Sequence, residues 1–409
     1  MESLIGGRRP FGAPRGLGPP TKTCPAAQSR EAMRRDNWRA KAASACNDAS
    51  VTEPGDPTAP QTTDRPASAA TPRRGRQTGE PSMAREPDYH TGRPTKVAIV
   101  GTGMVGSTFA YTLMLSGIAS EIVLIDANHK RAEGEAMDLN HAVPFAHPTK
   151  ICAGDYSDCQ GAAITVISAG VGQQPGETRL ELVRRNAAIF RGIVPKIAEA
   201  NPEGIIVVAT NPVDVLTYIT VKESGLSPQR VFGSGTILDT ARFRYMLSEH
   251  LGVDPRSVHA FIIGEHGDSE VPVWSLANVA GMRLPSFCAE NGIPLSPDTM
   301  ERIFSQTRDA AYEIISRKGA TYYAVAAGLM RIAEAILRDQ NTVLSISSLI
   351  TDYYGIDDVC LSLPTVVSRR GIERVLRLDL SPKEARGVRS SAKVLRATIE
   401  SLGAASNPG

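Results

Sequence analysis

From Lys96 onward the chain alternates short, branched apolar runs with longer stretches of helical period; before it neither period is found. The runs are Thr95–Val100, Glu121–Ile125, Thr149–Cys152, Ala163–Ser168, Gly204–Ala209 and Arg230–Phe232, and amphipathic stretches such as Val105–Leu115 and Leu180–Ala200 separate them. Strands and helices alternating at this length predict an α/β fold. Its core is a Rossmann, doubly wound parallel sheet with ligands along the C-terminal edge of its strands. A second, α+β domain is expected to follow. The boundaries predicted are 1–92 for a disordered extension, 93–237 for the doubly wound domain and 238–405 for the second domain.

The extension, Met1 to about Gly92, is built of Pro, Gly, Ala, Arg, Ser and Thr with almost no Ile, Leu, Val or Phe. Such a segment buries too little apolar area to offset chain entropy of about 1–2 kcal/mol per residue, which predicts disorder. No apolar core of a secretory signal follows the start, and Glu31, Asp36, Asp48, Glu53, Asp56 and Asp64 argue against an acid-poor organelle presequence. The composition changes sharply near Met83, which makes that methionine an alternative start of translation.

Composition adds mostly exclusions. With 409 residues and 42% hydrophobic content a large core is available, and a formal net charge of +2 gives no global attraction to nucleic acid or membrane. Six scattered cysteines without a CxxC pair or zinc spacing predict a reducing cytoplasm and no structural metal. No apolar run approaches the roughly 20 residues that span a bilayer.

The first strand runs directly into Gly101-Thr102-Gly103-Met104-Val105-Gly106, and a helical pattern follows. Strand, glycine turn and helix together mark a dinucleotide site: Gly101 for the tight turn, Gly103 for approach of a pyrophosphate, Gly106 for close packing of helix on strand. The diphosphate is expected on the helix N-terminus, with Met104 and Val105 among its contacts. Asp126, 20 residues beyond Gly106 at the end of the second run, is placed to bind ribose hydroxyls, which favours NAD over NADP. Two loops at the same edge stand out: Ala169 to Arg179, glycine-rich and ending in an arginine, reads as a lid, and Thr210-Asn211-Pro212 offers Asn211 to a ligand.

Gly264-Glu265-His266-Gly267-Asp268 sets a histidine between glycines, downstream of Asp239 and Arg242. Moving a hydride to a ketone carbon leaves negative charge on oxygen, so a site for that reaction needs a proton donor, a polarising charge and a substrate clamp. His266 could exchange the proton, Asp239 could hold its ring and raise its pKa, Arg242 could bind a carboxylate in a two-pronged pair, and Arg179 could polarise the carbonyl. On spacing alone, Asp239 and Arg242 could equally form an ordinary surface pair and His266 could be structural.

From about Lys96 to Leu402 the chain resembles the L-lactate and malate dehydrogenase family, most closely its bacterial L-lactate dehydrogenases. The stretches that carry the resemblance are VGTGMVGSTFAYTL, PGETRLELV, TNPVDVLTYI, GSGTILDTARFRYMLSEHLGV, HAFIIGEHGDSEVPVWS and KGATYYAVAAGLMRI. The resemblance implies that His266 transfers the proton with Asp239 as its partner, Arg242 binds the carboxylate, and Arg179 rides on the lid. It also implies that Asn211 meets substrate and nicotinamide, Thr321 lines the substrate pocket, and Val325 lies beside the nicotinamide ring. Gln173 matches the lid residue that reads the far end of the substrate; being neutral, it favours pyruvate and L-lactate over the second carboxylate of malate or oxaloacetate. Gly172 and Gln174 depart from the bulkier or charged residues common beside that glutamine, which suggests a looser lid and larger 2-keto acids.

Arg244 and His259 match positions where allosteric relatives bind fructose 1,6-bisphosphate between subunits, and the resemblance implies a homotetramer. The alternatives are a malate or broader 2-hydroxy acid dehydrogenase and a non-catalytic dinucleotide sensor, which would have no need of His266, Asp239, Arg179 and Arg242 together. Near the C-terminus, Ser381-Pro382-Lys383-Glu384 predicts a capping box that opens a helix carrying Val388, Val394, Leu395 and Ile399.

Overall fold

The computed structural model describes residues 95–172 and 176–403; the extension, the start at Met83, Gln173 and Gln174 lie outside the described residues. Six short strands form the parallel part of the sheet: β1 (Lys96–Val100), β2 (Glu121–Ile125), β3 (Lys150–Ala153), β4 (Ile164–Ile167), β5 (Ile205–Val208) and β6 (Val231–Gly233). Their order is β6-β5-β4-β1-β2-β3, so the direction of winding reverses between β1 and β4 and opens a crevice at their C-terminal ends. Helices α1 (Met104–Ser116), α2 (His129–Ala142), α3 (Arg179–Ala200) and α4 (Val213–Ser224) make the crossovers.

The strands are apolar on both faces because both faces are covered. Ala98, Val100, Val123 and Ile125 pack with Val183, Phe190 and Leu216 of α3 and α4, while Val97, Ile99, Ile122 and Leu124 pack with Phe109, Leu113 and Leu139 of α1 and α2. The continuous apolar runs in the sequence are therefore two cores read in alternation.

The rest of the chain contains α5 (Ile237–Leu251), β7 (Val258–His259), β8 (Ile262–Ile263), β9 (Val271–Pro272), β10 (Asn278–Val279), β11 (Met282–Arg283), α6 (Leu284–Glu290), α7 (Pro297–Lys318) and α8 (Tyr323–Leu337). These are followed by β12 (Thr342–Ile350), β13 (Val359–Ser368), β14 (Gly371–Val375) and α9 (Pro382–Gly403). Strand β12 pairs antiparallel with β6 through Ser347 and Gly233, and β13 and β14 follow, so one nine-stranded sheet runs through both parts of the chain. Both cores continue across that seam: Val359, Leu361, Val388 and Leu395 join the first, Leu329, Ile332 and Ile346 the second.

A third core forms between α5 and its neighbours, with Phe243 edge-on to Trp274 at 4.8 Å between centroids. The capping box at Ser381 is present: its N–H donates to Glu384 at 2.8 Å and the N–H of Glu384 returns to its hydroxyl at 3.4 Å. Of the apolar residues named for α9, Val388 and Leu395 are buried, Ile399 is half-buried and Val394 is exposed. The exposure of Val394 follows from its position six residues after Val388, about 120° around the helix from that buried stripe.

Candidate active site

A cavity of about 460 Å³ opens where α3, α4, α5, α7 and the loop after β8 converge. Its lining includes Arg179, Asn211, Asp239, Arg242 and His266, residues that the sequence places up to 87 positions apart. Asp239 and Arg242 lie in the first two turns of α5, which begins four residues after the end of β6. Their three-residue spacing puts both side chains on one helix face, as in a surface pair. Here, however, the pair is inside, with side-chain exposures of 4% and 10% and a bond of 2.9 Å from the Arg242 guanidinium to Oδ1 of Asp239.

The other oxygen of Asp239 accepts the Nδ1–H of His266 at 2.5 Å. That bond fixes the ring and leaves Nε2 without a hydrogen-bond partner among the described residues. Burial alone would depress the imidazole, but the Asp239 carboxylate, helped by Asp214 and Glu270, outweighs it and raises the pKa to about 9. In the other direction, His266 and Arg242 hold Asp239 below the usual carboxylate range despite its burial.

The backbone that carries His266 is clamped from three elements. Gly264 exchanges two 2.8 Å hydrogen bonds with Ser362 of β13, the N–H of Glu265 donates to Oγ of Ser391 on α9 at 2.6 Å, and the N–H of His266 donates to Asp214 on α4 at 2.7 Å. Gly264 itself sits at φ +92°, the left-handed region open to glycine, which explains the residue type before the histidine.

Arg179 is the first residue of α3, capped by Thr178, and stands at the cavity rim with 59% of its side chain exposed. Its guanidinium lies 3.1 Å from Asp268 and 3.8 Å from Glu265, so the two acids of the histidine motif hold it there. The start of the loop after β4 is tied down by Asn186 of α3, buried at 1% exposure. Its side-chain oxygen accepts the Val171 N–H at 2.9 Å, and its amide donates to the Val171 and Asn211 carbonyls at 3.3 and 3.2 Å.

At the crevice of the parallel sheet, Gly101 has φ +99°, and a side chain on Gly106 would run into the Gly101 carbonyl oxygen. Gly103 behaves differently: a Cβ there would meet nothing within 4 Å. The open space beside it is therefore on the outside, where α1 presents its N-terminus and Met104 is 58% exposed. Asp126 ends β2 with one oxygen accepting from the Thr102 N–H at 2.8 Å and the other from the Asn128 N–H at 2.9 Å. Burial opposes ionisation there, yet these bonds prevail and lower its pKa, so a carboxylate faces the crevice.

Residues 95–233 match the NAD binding domain of lactate/malate dehydrogenase, and residues 236–405 match the alpha/beta C-terminal domain of the same proteins. The chain belongs to the lactate/malate dehydrogenase family. It is an NAD-dependent oxidoreductase, and the open face of Gly103, the bare N-terminus of α1 and the ionised Asp126 fit that dinucleotide. It is 53% identical over 307 residues to an L-lactate dehydrogenase of Acetivibrio thermocellus, covering 75% of this chain and 97% of that one. Among solved structures, a lactate dehydrogenase from a Medee basin deep-sea metagenome library superposes with a TM-score of 0.74 at 46% identity, over 76% of this chain and 99% of the other. The minor L-lactate dehydrogenase of Enterococcus mundtii gives 0.73 at 42% identity, over 75% and 98%.

Other residues expected from the sequence lie farther out. Thr321 is half-buried in the link between α7 and α8, outside the cavity lining, and Val325 packs at the edge of the second core on α8. Arg244, on α5, is half-buried. Its Nε donates to the Ala260 carbonyl at 2.9 Å and its guanidinium stacks 5.1 Å from the Phe261 ring, while His259, on β7, is exposed. Among the described residues no helix is long and apolar enough to cross a membrane.

The sequence reading missed Asn186, Asp214, Glu270 and Ser391. The motif stretches contained Asp214 and Glu270 as TNPVD and HGDSE, but nothing local distinguishes a carboxyl that folds inward from one that caps a helix.

Proposed function

We propose that this enzyme interconverts pyruvate and L-lactate, with residues 93–237 holding NAD and residues 238–405 supplying most of the substrate site. The observation that carries the reading is the unbroken chain Arg242–Asp239–His266, buried beside one cavity that also takes in Asn211 and Arg179. The relatives named lactate dehydrogenases and the neutral Gln173 support the choice of substrate.

Arg242 keeps one guanidinium nitrogen on Asp239 and turns the remainder toward the cavity, where it binds the substrate carboxylate and orients the reacting carbon. His266, cationic at neutral pH, gives its Nε2 proton to the carbonyl oxygen in reduction and takes it back in oxidation. Asp239 keeps the ring in place and stabilises its charge throughout. Arg179, drawn inward as the lid closes, polarises the carbonyl, and Asn211 places a side-chain amide against substrate and nicotinamide. NAD, when bound, supplies or accepts the hydride, with Gly101, Gly103, Met104, Val105, Gly106, Asp126 and Val325 forming its seat.

Gln173 sets the preference. A buried second carboxylate without a countercharge costs several kcal/mol, worth about a hundredfold or more in rate at 1.4 kcal/mol per tenfold. The deciding measurement is kcat/KM for pyruvate and for oxaloacetate with NADH, in the wild type and in Gln173→Arg. The wild type is expected to favour pyruvate by two orders of magnitude or more, and the variant to shift toward oxaloacetate. A wild type that prefers oxaloacetate makes the enzyme a malate dehydrogenase with the same catalytic groups.

The same reading includes a homotetramer with a fructose 1,6-bisphosphate site at Arg244 and His259. Support comes from the Arg244 guanidinium reaching the Ala260 carbonyl and from the exposure of His259, the residue before Ala260. Facing their counterparts across a two-fold axis, these groups would repel, and a bisphosphate would relieve that repulsion. Light scattering and pyruvate kinetics with and without millimolar effector test it; indifference of both removes the site.

A further inference from the structure

Among the residues that line the cavity, Glu270 is a buried carboxyl that the mechanism above does not use. Glu270 closes the turn after His266, with its N–H donating to the Gly267 carbonyl at 3.1 Å, and its side chain lines the same cavity as His266 and Arg242. It is 93% buried, being only 7% exposed, and its Oε1 is fully enclosed with no hydrogen-bond partner. A buried carboxyl without a donor is costly as an anion, and this one stands in a space that must admit an anionic substrate.

The ionisable groups that line the cavity with it come from four elements. Asp239 and Arg242 are on α5, Arg308 and Tyr312 on α7, Arg179 on α3, and His266 and Asp268 on its own loop; of these, Asp239, His266, Arg242 and Arg308 act on its charge. We propose that Glu270 is a protonation-dependent gate on substrate capture: as the neutral acid it leaves Arg242 and Arg308 to the carboxylate of an incoming 2-keto or 2-hydroxy acid, and as the anion it competes with that carboxylate for them. This rests on the reading of the cavity as the site of pyruvate and L-lactate. Burial, with the charge of Asp239 behind it, outweighs the pull of His266, Arg242 and Arg308 and pushes the Glu270 carboxyl up to about 8, so the gate works in a physiological range.

Glu270 thus acts on substrate binding, and its effect is on KM. The ionised site must take up a proton before it accepts substrate, which weakens apparent affinity about tenfold one pH unit above the pKa. The test compares KM for pyruvate and for L-lactate near pH 7 and pH 9 in the wild type and in Glu270→Gln, which has no charge to gain. Relative to the variant, the wild type is expected to lose about tenfold in apparent affinity at the higher pH, for both substrates.

The agreement between substrates is the decisive point. If Glu270 acted only by keeping His266 protonated, its charge would help pyruvate and hinder L-lactate, and the two KM values would move in opposite directions. Opposite shifts, or identical pH profiles in the two enzymes, overturn the gate while leaving the substrate assignment intact. Absence of L-lactate turnover by the wild type at any pH overturns that assignment and the gate with it. Should Glu270→Gln fold poorly, Glu270→Leu removes the same charge and gives the same comparison.

Discussion

The Oγ of Ser391, fully buried on the last helix, accepts the N–H of Glu265 at 2.6 Å, one residue before the histidine that lines the cavity. A helix at the far end of the chain therefore holds the backbone that aims His266. Removing the hydroxyl leaves a buried N–H without a partner, at about 1–3 kcal/mol. Ser391→Ala is expected to lower the urea midpoint accordingly and to reduce kcat several-fold, with KM for NADH unchanged. Lost stability with full kcat would mean that the clamp holds the fold and has no part in aiming the ring.

The pH dependence of the two directions of reaction follows from His266. Its pKa of about 9 keeps it protonated through neutral pH, so kcat for pyruvate reduction should hold level and fall above that value, while L-lactate oxidation should rise toward it. The sign for stability is the same as for reduction: a histidine whose pKa is raised on folding stabilises most below its unfolded value near 6.5, and that contribution fades as pH climbs through about 9. Asp239→Asn removes the charge that raises the pKa. The reduction limb should move down toward neutrality, and kcat/KM should fall by about 10²–10⁴. An unmoved limb would assign the titration to another group.

Two glycines of one turn should fail in different ways. Gly106→Ala drives a methyl group into the Gly101 carbonyl and should prevent folding or cost more than about 3 kcal/mol. Gly103→Ala projects into open space, so its melting temperature should stay within a few degrees while KM for NADH rises. Equal KM values for wild type and Gly103→Ala would show that the open face is not where the pyrophosphate lies.

The parallel sheet was legible because its inner strands are apolar on both faces and most successive strands are separated by helix-sized intervals, and the observed ends of β1, β2 and β4 differ from the apolar runs by at most one residue. The grouping of His266, Asp239 and Arg242 was anticipated from the motifs that contain them together with the chemistry of their side chains, since spacing alone left a surface pair and a structural histidine equally open; the structure brings all three to one cavity. What stayed hidden depends on approach between distant segments. Ser391 is an ordinary helix serine until Glu265 meets it, Asn186 an interior helix residue until Val171 and Asn211 reach its amide, and Glu270 a loop acid until α5 and α7 close over it. The seam between β6 and β12 was equally hidden, since a single pair, Gly233 with Ser347, makes it.

That seam bears on how the protein could be cut or recombined. A chain ended after Gly233 would present β6 as a raw sheet edge and leave Val207, Val208 and Phe232 without the apolar partners contributed by the later strands and helices. The stretches matched as two domains thus share one sheet and two cores, and a chimera that exchanges one of them must inherit the other's strand register as well as its loops.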